Sequence, residues 1–167
     1  LPSYTGTPYY SSTNGASNRP SQARVKNVLR GLNQLMNQQL GRIGLYGTKW
    51  PNGRHYGARD GDWWCSEFYV WASKKTLKSF RGANSVDGLK TYFGNGYRTV
   101  TSLSDLSGAR PGDWLAMKNE NHTGMVLAKR RDGKIITLEG NVANTLRVVA
   151  RGLGDVSGFA SIHAKVK

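Results

Sequence analysis

Residues 62–72 read DWWCSEFYVWA, an aromatic run that contains Cys65, the one cysteine of the chain. Asp62 is a favourable helix N-cap residue, and apolar side chains such as Trp64 and Phe68 follow at helical spacing. We therefore predict a helix that begins at Asp62 and carries Cys65 in its first turn. A thiol in that position meets unpaired backbone N–H groups and the positive end of the helix dipole, which favour its reactive thiolate form.

An amphipathic helix is predicted upstream of this run. Ser21 is a suitable N-cap, Gly41 marks the end, and the apolar residues between them recur at i, i+3, i+4, i+7 spacing. These apolar residues are Val25, Val28, Leu29, Leu32, Leu35, Met36 and Leu40. Residues 1–20 show no such period, so we predict an irregular N-terminal arm at 1–20 and a single domain at 21–167.

Downstream, short apolar runs separated by Gly, Asn and Asp are typical of strands. A second helix is predicted at residues 85–93, and Asp132-Gly133 is a candidate hairpin turn. The predicted strands are 114–117, 122–128, 134–139, 145–149 and 159–166. Helices followed by strands indicate an α+β fold, with N-terminal helices packed on an antiparallel sheet of about five or six strands.

Three positions in this pattern could perform thiol chemistry together. Attack by Cys65 needs a base, and His122 opens a predicted strand after a polar loop. The base needs a group that fixes its orientation, and Glu139 or Asn141 at the end of the next strand could supply it. In an antiparallel hairpin the start of one strand lies beside the end of its neighbour, so we expect His122 and Glu139 at one sheet edge.

Four successive motifs strengthen this interpretation: WC at 64–65 with VWA at 70–72, PGDW at 111–114, HTGMV at 122–126 and LEGN at 138–141. Together they resemble CHAP domains, the cysteine, histidine-dependent amidohydrolases/peptidases related to papain and to the NlpC/P60 group. The resemblance runs from about Trp50 to the C-terminus. It implies a papain-like fold for that part of the chain.

The resemblance also implies roles and a substrate. Cys65 would be the nucleophile, His122 the base and then the acid, Glu139 the residue that orients His122, and Asn141 a further polar member of the site. CHAP enzymes cut amide bonds of bacterial peptidoglycan, either as N-acetylmuramoyl-L-alanine amidases or as endopeptidases of the peptide. A secreted enzyme, or one delivered to a cell wall or periplasm, is the corresponding expectation.

Net charge is consistent with that setting. The chain carries 24 Lys and Arg against 10 Asp and Glu, a formal charge of +14, which favours anionic envelope polymers as partners. Nucleic acid is also anionic, but the sequence has no zinc knuckle, RNP-like strand or basic helix, so no specific nucleic-acid partner is expected. No apolar run approaches the roughly 20 residues of a membrane helix, so no membrane span is predicted. We expect a monomer.

Several other residues are candidates for binding a ligand or a metal ion. Tyr56, Trp64 and Trp114, together with Trp63, are candidates for a substrate groove, although core packing explains such rings equally well. Asp60 and Asp62 are too few to hold calcium. Because His55 and His163 lack ligand spacing, we predict no metal site and no cofactor.

Two other functions remain open from the sequence. A glycosidase acting on the same polymer would use paired carboxylates, for which Glu67, Glu120 and Glu139 are candidates. A basic binding module for wall polymer or nucleic acid would need no chemistry at all. Thiol alkylation separates the first from a cysteine hydrolase, and replacement of Cys65 separates the second.

Overall fold

Two helices and a six-stranded antiparallel sheet form the described part of the fold. The computed structural model describes residues 30, 34, 35, 38, 56–58, 63–142 and 145–165. The helices are α1 (Cys65–Thr76) and α2 (Val86–Phe93). The strands are β1 (Tyr97–Thr99), β2 (Trp114–Met117), β3 (Thr123–Lys129), β4 (Ile135–Val142), β5 (Thr145–Arg151) and β6 (Val156–Ala160). Their order in the sheet is β1-β6-β2-β3-β4-β5, and the predicted α+β class is confirmed.

Apolar side chains cover both faces of this sheet. Trp114 and Ala116 of β2 join a core cluster with residues of α1 and α2, whereas Leu115 and Met117 join a second cluster. Because successive side chains of a strand point to opposite faces, the helices lie on one face and the second cluster covers the other. In the ranges described, no helix has the length and apolar character needed to cross a bilayer.

Helix α1 begins later than the sequence suggests. Trp64 is its N-cap residue and makes no side-chain cap, and the first helical bond runs from the Phe68 N–H to the Trp64 carbonyl at 3.1 Å. The predicted cap at Asp62 is therefore wrong, and Asp62 itself lies outside the described residues. Instead of a polar cap, the buried ring of Trp64 stacks on Tyr56 and holds the start of the helix. Cys65 consequently becomes the first helical residue.

Most other predicted elements are confirmed. The structure has β2 at the predicted residues, and Ser85 caps α2 by accepting the Gly88 N–H at 2.9 Å. Strands β3 and β4 pair around a turn in which Gly133 has φ of 86°. A left-handed residue at that position is easiest for glycine.

The end of the chain and a short edge strand differ from the prediction. β6 starts at Val156 and ends at Ala160, so the predicted strand at 159–166 is wrong beyond that residue. The Ile162 N–H donates to Asp113 Oδ1 at 3.1 Å, which turns the chain into a 3-10 helix at Ile162–Lys165. Strand β1, three residues long, was not predicted.

Only four positions of the predicted upstream helix are described, and all are helical. Leu35 is buried in the core cluster, while Arg30, Gln34 and Gln38 are exposed. That division fits an amphipathic helix with its leucine face inward. The rest of that helix and the predicted arm at 1–20 lie outside the described residues.

Candidate active site

Three elements meet where β3 begins and β4 ends, at one end of these two paired strands. Cys65 is the first residue of α1, His122 immediately precedes β3, and Glu139 lies in β4. β3 and β4 are paired with Met125 opposite Leu138, which brings the start of β3 beside Glu139. Helix α1 packs on both strands, so its N-terminus is held over the same end.

His122 interacts with both of the other side chains. Its Nε2 lies 2.7 Å from Glu139 Oε1, and the Cys65 side chain is close enough to help raise the pKa of the imidazole. Glu139 therefore holds the tautomer of the imidazole, and the other ring nitrogen can exchange a proton with the thiol.

Electrostatics favour the charged form of this histidine. Burial lowers the pKa of His122, but hydrogen bonds to Cys65 and Glu139 and the negative charges of both groups outweigh burial and raise that pKa to about 9. At neutral pH the ring is then an imidazolium. An imidazolium beside the sulfur stabilises a thiolate, which is the nucleophilic form of cysteine.

Glu139 is fully buried and has a second cationic partner that the sequence did not reveal. Arg151, at the end of β5, donates from Nε to Oε2 at 2.8 Å and from Nη2 to Oε1 at 2.5 Å. Burial raises the pKa of Glu139, but hydrogen bonds from Arg151, His122 and Thr137 lower it to about 2. The forked contact fixes both carboxylate oxygens, so Glu139 stays ionised and correctly placed for His122.

Gly124 makes room for this carboxylate. A Cβ added to Gly124 would lie 2.7 Å from Glu139 Cγ and 3.3 Å from its Cδ. Atoms do not approach that closely without displacement, so any larger residue at 124 would move Glu139. The glycine of the HTGMV motif thus has a packing reason that the sequence did not identify.

The loop that leads into His122 adopts an unusual backbone conformation. Asn119 and Glu120 have φ of 69° and 52°, values uncommon for residues other than glycine. Glu120 is held by Lys90 of α2, whose Nζ lies 2.8 Å from both carboxylate oxygens. The Met117 N–H donates to the His122 carbonyl at 3.0 Å and closes the loop. These contacts fix the backbone from which the imidazole extends.

The Pro111-Gly112-Asp113 turn connects the cysteine helix to the histidine strand. Tyr69 of α1 donates its hydroxyl to the Gly112 carbonyl at 2.9 Å, and Val126 of β3 pairs with the turn through the Gly112 N–H and the Asp113 carbonyl. Burial and the charge of Asp113 raise the pKa of Tyr69, so its phenol keeps the proton it donates. This turn therefore fixes the spacing of α1 and β3, and with it that of Cys65 and His122.

The three aromatic residues predicted to line a substrate groove lie in the hydrophobic core. Tyr56, Trp64 and Trp114 are 4%, 1% and 0% exposed and belong to the core cluster between helices and sheet. Their rings offer no surface to a ligand, because aromatic packing under the helices uses them fully. Trp63, directly before the buried pair of Trp64 and Cys65, is 72% exposed.

Asn141 lies at an irregularity of β4. Its φ is 59°, and the pairing of β4 with β5 shifts register between Glu139 and Val142. Its side chain is partly exposed, and it is Glu139 that contacts the imidazole. Among the described residues, no group of three His, Cys, Asp or Glu side chains is arranged to hold a metal ion, and Asp60, Asp62 and His55 lie outside them.

A cavity of about 330 Å³ opens beside His122 and Arg151. A ligand in it would contact the imidazole of His122, whereas Cys65 does not line this cavity. Comparisons of the chain with family models, curated proteins and solved structures give no match. The function must therefore be inferred from the chemistry of these side chains.

Proposed function

We propose that this chain is a peptidoglycan hydrolase with a papain-like, CHAP-type fold, which cleaves amide bonds through Cys65, His122 and Glu139. The observation that carries the proposal is an imidazole hydrogen-bonded to an ionised, buried carboxylate, with Cys65 close enough to help raise the pKa of that imidazole. That arrangement is the nucleophile, base and orienting group of a thiol hydrolase. The four sequence motifs that resemble CHAP domains support the same choice.

In the first half of the reaction, the Cys65 thiolate attacks the carbonyl carbon of the amide. The carbonyl oxygen becomes an oxyanion, which the backbone N–H of Cys65 at the start of α1 is placed to stabilise. His122 then gives its proton to the amide nitrogen, the C–N bond breaks, and the amine leaves. An acyl group remains on the sulfur, and the imidazole is neutral.

In the second half, the neutral His122 removes a proton from water as the water oxygen attacks the thioester. The C–S bond breaks, the carboxylic acid is released, and the thiolate and imidazolium are restored. Glu139 stays ionised throughout because Arg151 pairs with it. We assign Asn141 a supporting polar role at the same edge of the sheet.

Charge and setting fit this substrate. A formal charge of +14 would hold the protein near the anionic polymers of a bacterial envelope. We therefore propose that it acts in the extracellular space, the periplasm or the cell wall, as a monomer bound to wall polymer.

The site argues against the glycosidase alternative. An acid catalyst of that class needs a carboxyl with a raised pKa, whereas hydrogen bonds hold the pKa of Glu139 at about 2 despite its burial. Glu120 forms an ion pair with Lys90. A cysteine hydrolase uses Glu139 in its ionised form and is therefore the better fit.

Digestion of purified peptidoglycan tests the proposal. Wild type should release soluble fragments, and mass spectrometry of the new termini will identify the cut as the lactyl–alanine amide or a peptide bond. Cys65→Ala should release none, and iodoacetamide should silence the wild type. Ser66→Ala is the matched control, since Ser66 Oγ is buried without a hydrogen-bond partner in the described structure. Equal lysis by Cys65→Ser and wild type would instead favour a non-catalytic binding module.

A further inference from the structure

The cavity beside His122 has two oppositely charged residues at its rim that the proposed reaction does not use, Lys118 and Asp155. We propose that this cavity binds an amino-acid head group bearing both an ammonium and a carboxylate. Lys118 holds the carboxylate and Asp155 holds the ammonium. The inference rests on the proposed function, because it takes this head group to be part of the peptidoglycan peptide.

Charge pairing around the cavity singles out these two residues. His122 interacts with Cys65 and Glu139, and Arg151 is committed to Glu139 through two hydrogen bonds. Within the described part of the chain, neither Lys118 nor Asp155 forms an ion pair, and the charge of Asp155 acts at longer range to raise the pKa of Arg151. Asp155 Oδ2 accepts the Gly152 N–H at 3.0 Å, which anchors the side chain and leaves Oδ1 for a ligand.

Strand register explains why the two charges lie near each other. Met117 of β2 is paired with Val156 of β6 in an antiparallel ladder. The next position on each chain is Lys118 and Asp155, so their backbones lie opposite each other where the strands end. Both line the cavity, and the opening therefore carries a positive and a negative group side by side.

A ligand with both charges matches this rim better than one with a single charge. A carboxylate alone would leave Asp155 without a partner at ion-pair distance, and an ammonium alone would leave Lys118 without one. Peptidoglycan peptides supply the required group when their diamino acid has a free end with an ammonium and a carboxylate on one carbon. Asn121, also at the cavity, can donate its amide to the same carboxylate.

Three synthetic peptides separate the two charges. The first is γ-D-glutamyl-meso-diaminopimelate, the second has lysine in place of the diamino acid and lacks the distal carboxylate, and the third has 2-aminopimelate and lacks the distal ammonium. Binding is measured by calorimetry with the Cys65→Ala protein, so that no turnover occurs. We expect the first peptide to bind about fivefold more tightly than either of the others, the scale of one exposed charge contact.

Two variants assign each charge to its residue. Lys118→Gln should abolish the preference for the distal carboxylate only, and Asp155→Asn the preference for the distal ammonium only, because asparagine can still accept the Gly152 N–H. Lys78→Gln and Asp87→Asn are matched controls at exposed positions away from the cavity lining. Both preferences should survive in the controls.

Equal affinity of the three peptides for the Cys65→Ala protein would overturn the inference, as would preferences that persist in Lys118→Gln and Asp155→Asn. The hydrolysis assay is a separate readout. Cys65-dependent digestion of peptidoglycan without these preferences would reject the cavity assignment alone. Preferential binding by a wild type that digests no peptidoglycan would reject the proposed hydrolase alone.

Discussion

Two histidine–carboxylate pairs in this molecule have opposite electrostatic outcomes. His122 lies 2.7 Å from Glu139, and its pKa is raised to about 9 despite burial because Cys65 and Glu139 both favour the cation. His163 lies 3.8 Å from Asp113, and burial together with the charge of Arg110 lowers its pKa to about 4. At neutral pH the first ring is therefore charged and the second neutral.

The other contacts of the two carboxylates, Glu139 and Asp113, explain why the two histidines differ in pKa. Glu139 is kept ionised by Arg151, whereas burial raises the pKa of Asp113 to about 7, although the N–H groups of Arg110 and Ile162 donate to it. His163 uses Nε2 for the Pro111 carbonyl at 3.1 Å. A histidine beside a carboxylate is thus a cation close to a thiol in one place, and in the other a neutral ring that holds residues 161–165 against the Pro111 turn.

The largest expected effect comes from exchanging the two histidines for uncharged residues. His122→Ala should lower kcat by about 10³-fold or more, because it removes both the base and the acid of the proposed reaction. His163→Gln should keep kcat within about twofold, since His163 contacts the Pro111 turn and not the thiol. Peptidoglycan turnover measures the first effect, and circular dichroism checks that both variants fold. Comparable turnover losses in the two variants would contradict the assigned roles.

The sequence predicts those residues of the site that follow from local patterns, and it does not predict a contact between side chains of different strands. The positions of Cys65, His122 and Glu139 followed from a helix start and a hairpin, and the structure brings these side chains together. Arg151 gave no such signal, because strand pairing places Arg147 opposite Glu139, whereas Arg151 lies opposite Ile135 and reaches the carboxylate only through its long side chain.

The fold shows the same division between local and long-range causes. Strand β2 and the Asp132-Gly133 turn depend on local sequence and were predicted correctly. The end of β6 depends on Asp113, which is 49 residues away from Ile162 in the chain. Likewise, Trp63 and Trp64 are neighbours of the same residue type, and only packing decides that one is exposed and the other buried.

A milder change should separate the charge of Glu139 from its shape. Glu139→Gln keeps the size of the side chain but leaves Arg151 beside a neutral group, so the pKa of His122 should fall. We expect kcat to drop about 100-fold. The alkaline limb of the activity profile, near pH 9 in the wild type because the imidazolium must protonate the leaving amine, should move to lower pH. An unchanged alkaline limb would show that Glu139 does not set the charge of His122.

Crowding the same carboxylate should have a smaller effect. In Gly124→Ala the new methyl would lie 2.7 Å from Glu139 Cγ, so the carboxylate must shift relative to His122 and Arg151. We expect about a tenfold loss of kcat and about 1–3 kcal/mol of lost stability from overpacking. Gly108→Ala is the control, because nothing lies within 4 Å of a Cβ at that position. Equal activity in the two alanine variants would argue that the site does not need the space at Gly124.

The smallest expected effect concerns the pH dependence of folding stability, to which His163 and Asp113 make opposite contributions. The lowered pKa of His163 makes stability fall as pH drops from about 6.5 to about 4, since only the unfolded chain then binds that proton. The raised pKa of Asp113 makes stability rise as pH drops from about 7 toward its unfolded value, since the folded chain binds that proton first. Over the shared window each state gains one proton, so the two contributions cancel in the wild type.

Replacing either His163 or Asp113 should reveal how the other residue makes stability depend on pH. Relative to wild type, Asp113→Asn should lose stability as pH is lowered from 6.5 to 4, and His163→Gln should gain it, each by on the order of 1 kcal/mol per pH unit. Urea unfolding at several pH values measures both slopes, and using differences from the wild type removes the contributions of the other titrating groups. Slopes of the same sign, or no slope in either variant, would contradict the lowered pKa of His163 and the raised pKa of Asp113, and with them the contrast between the two histidines.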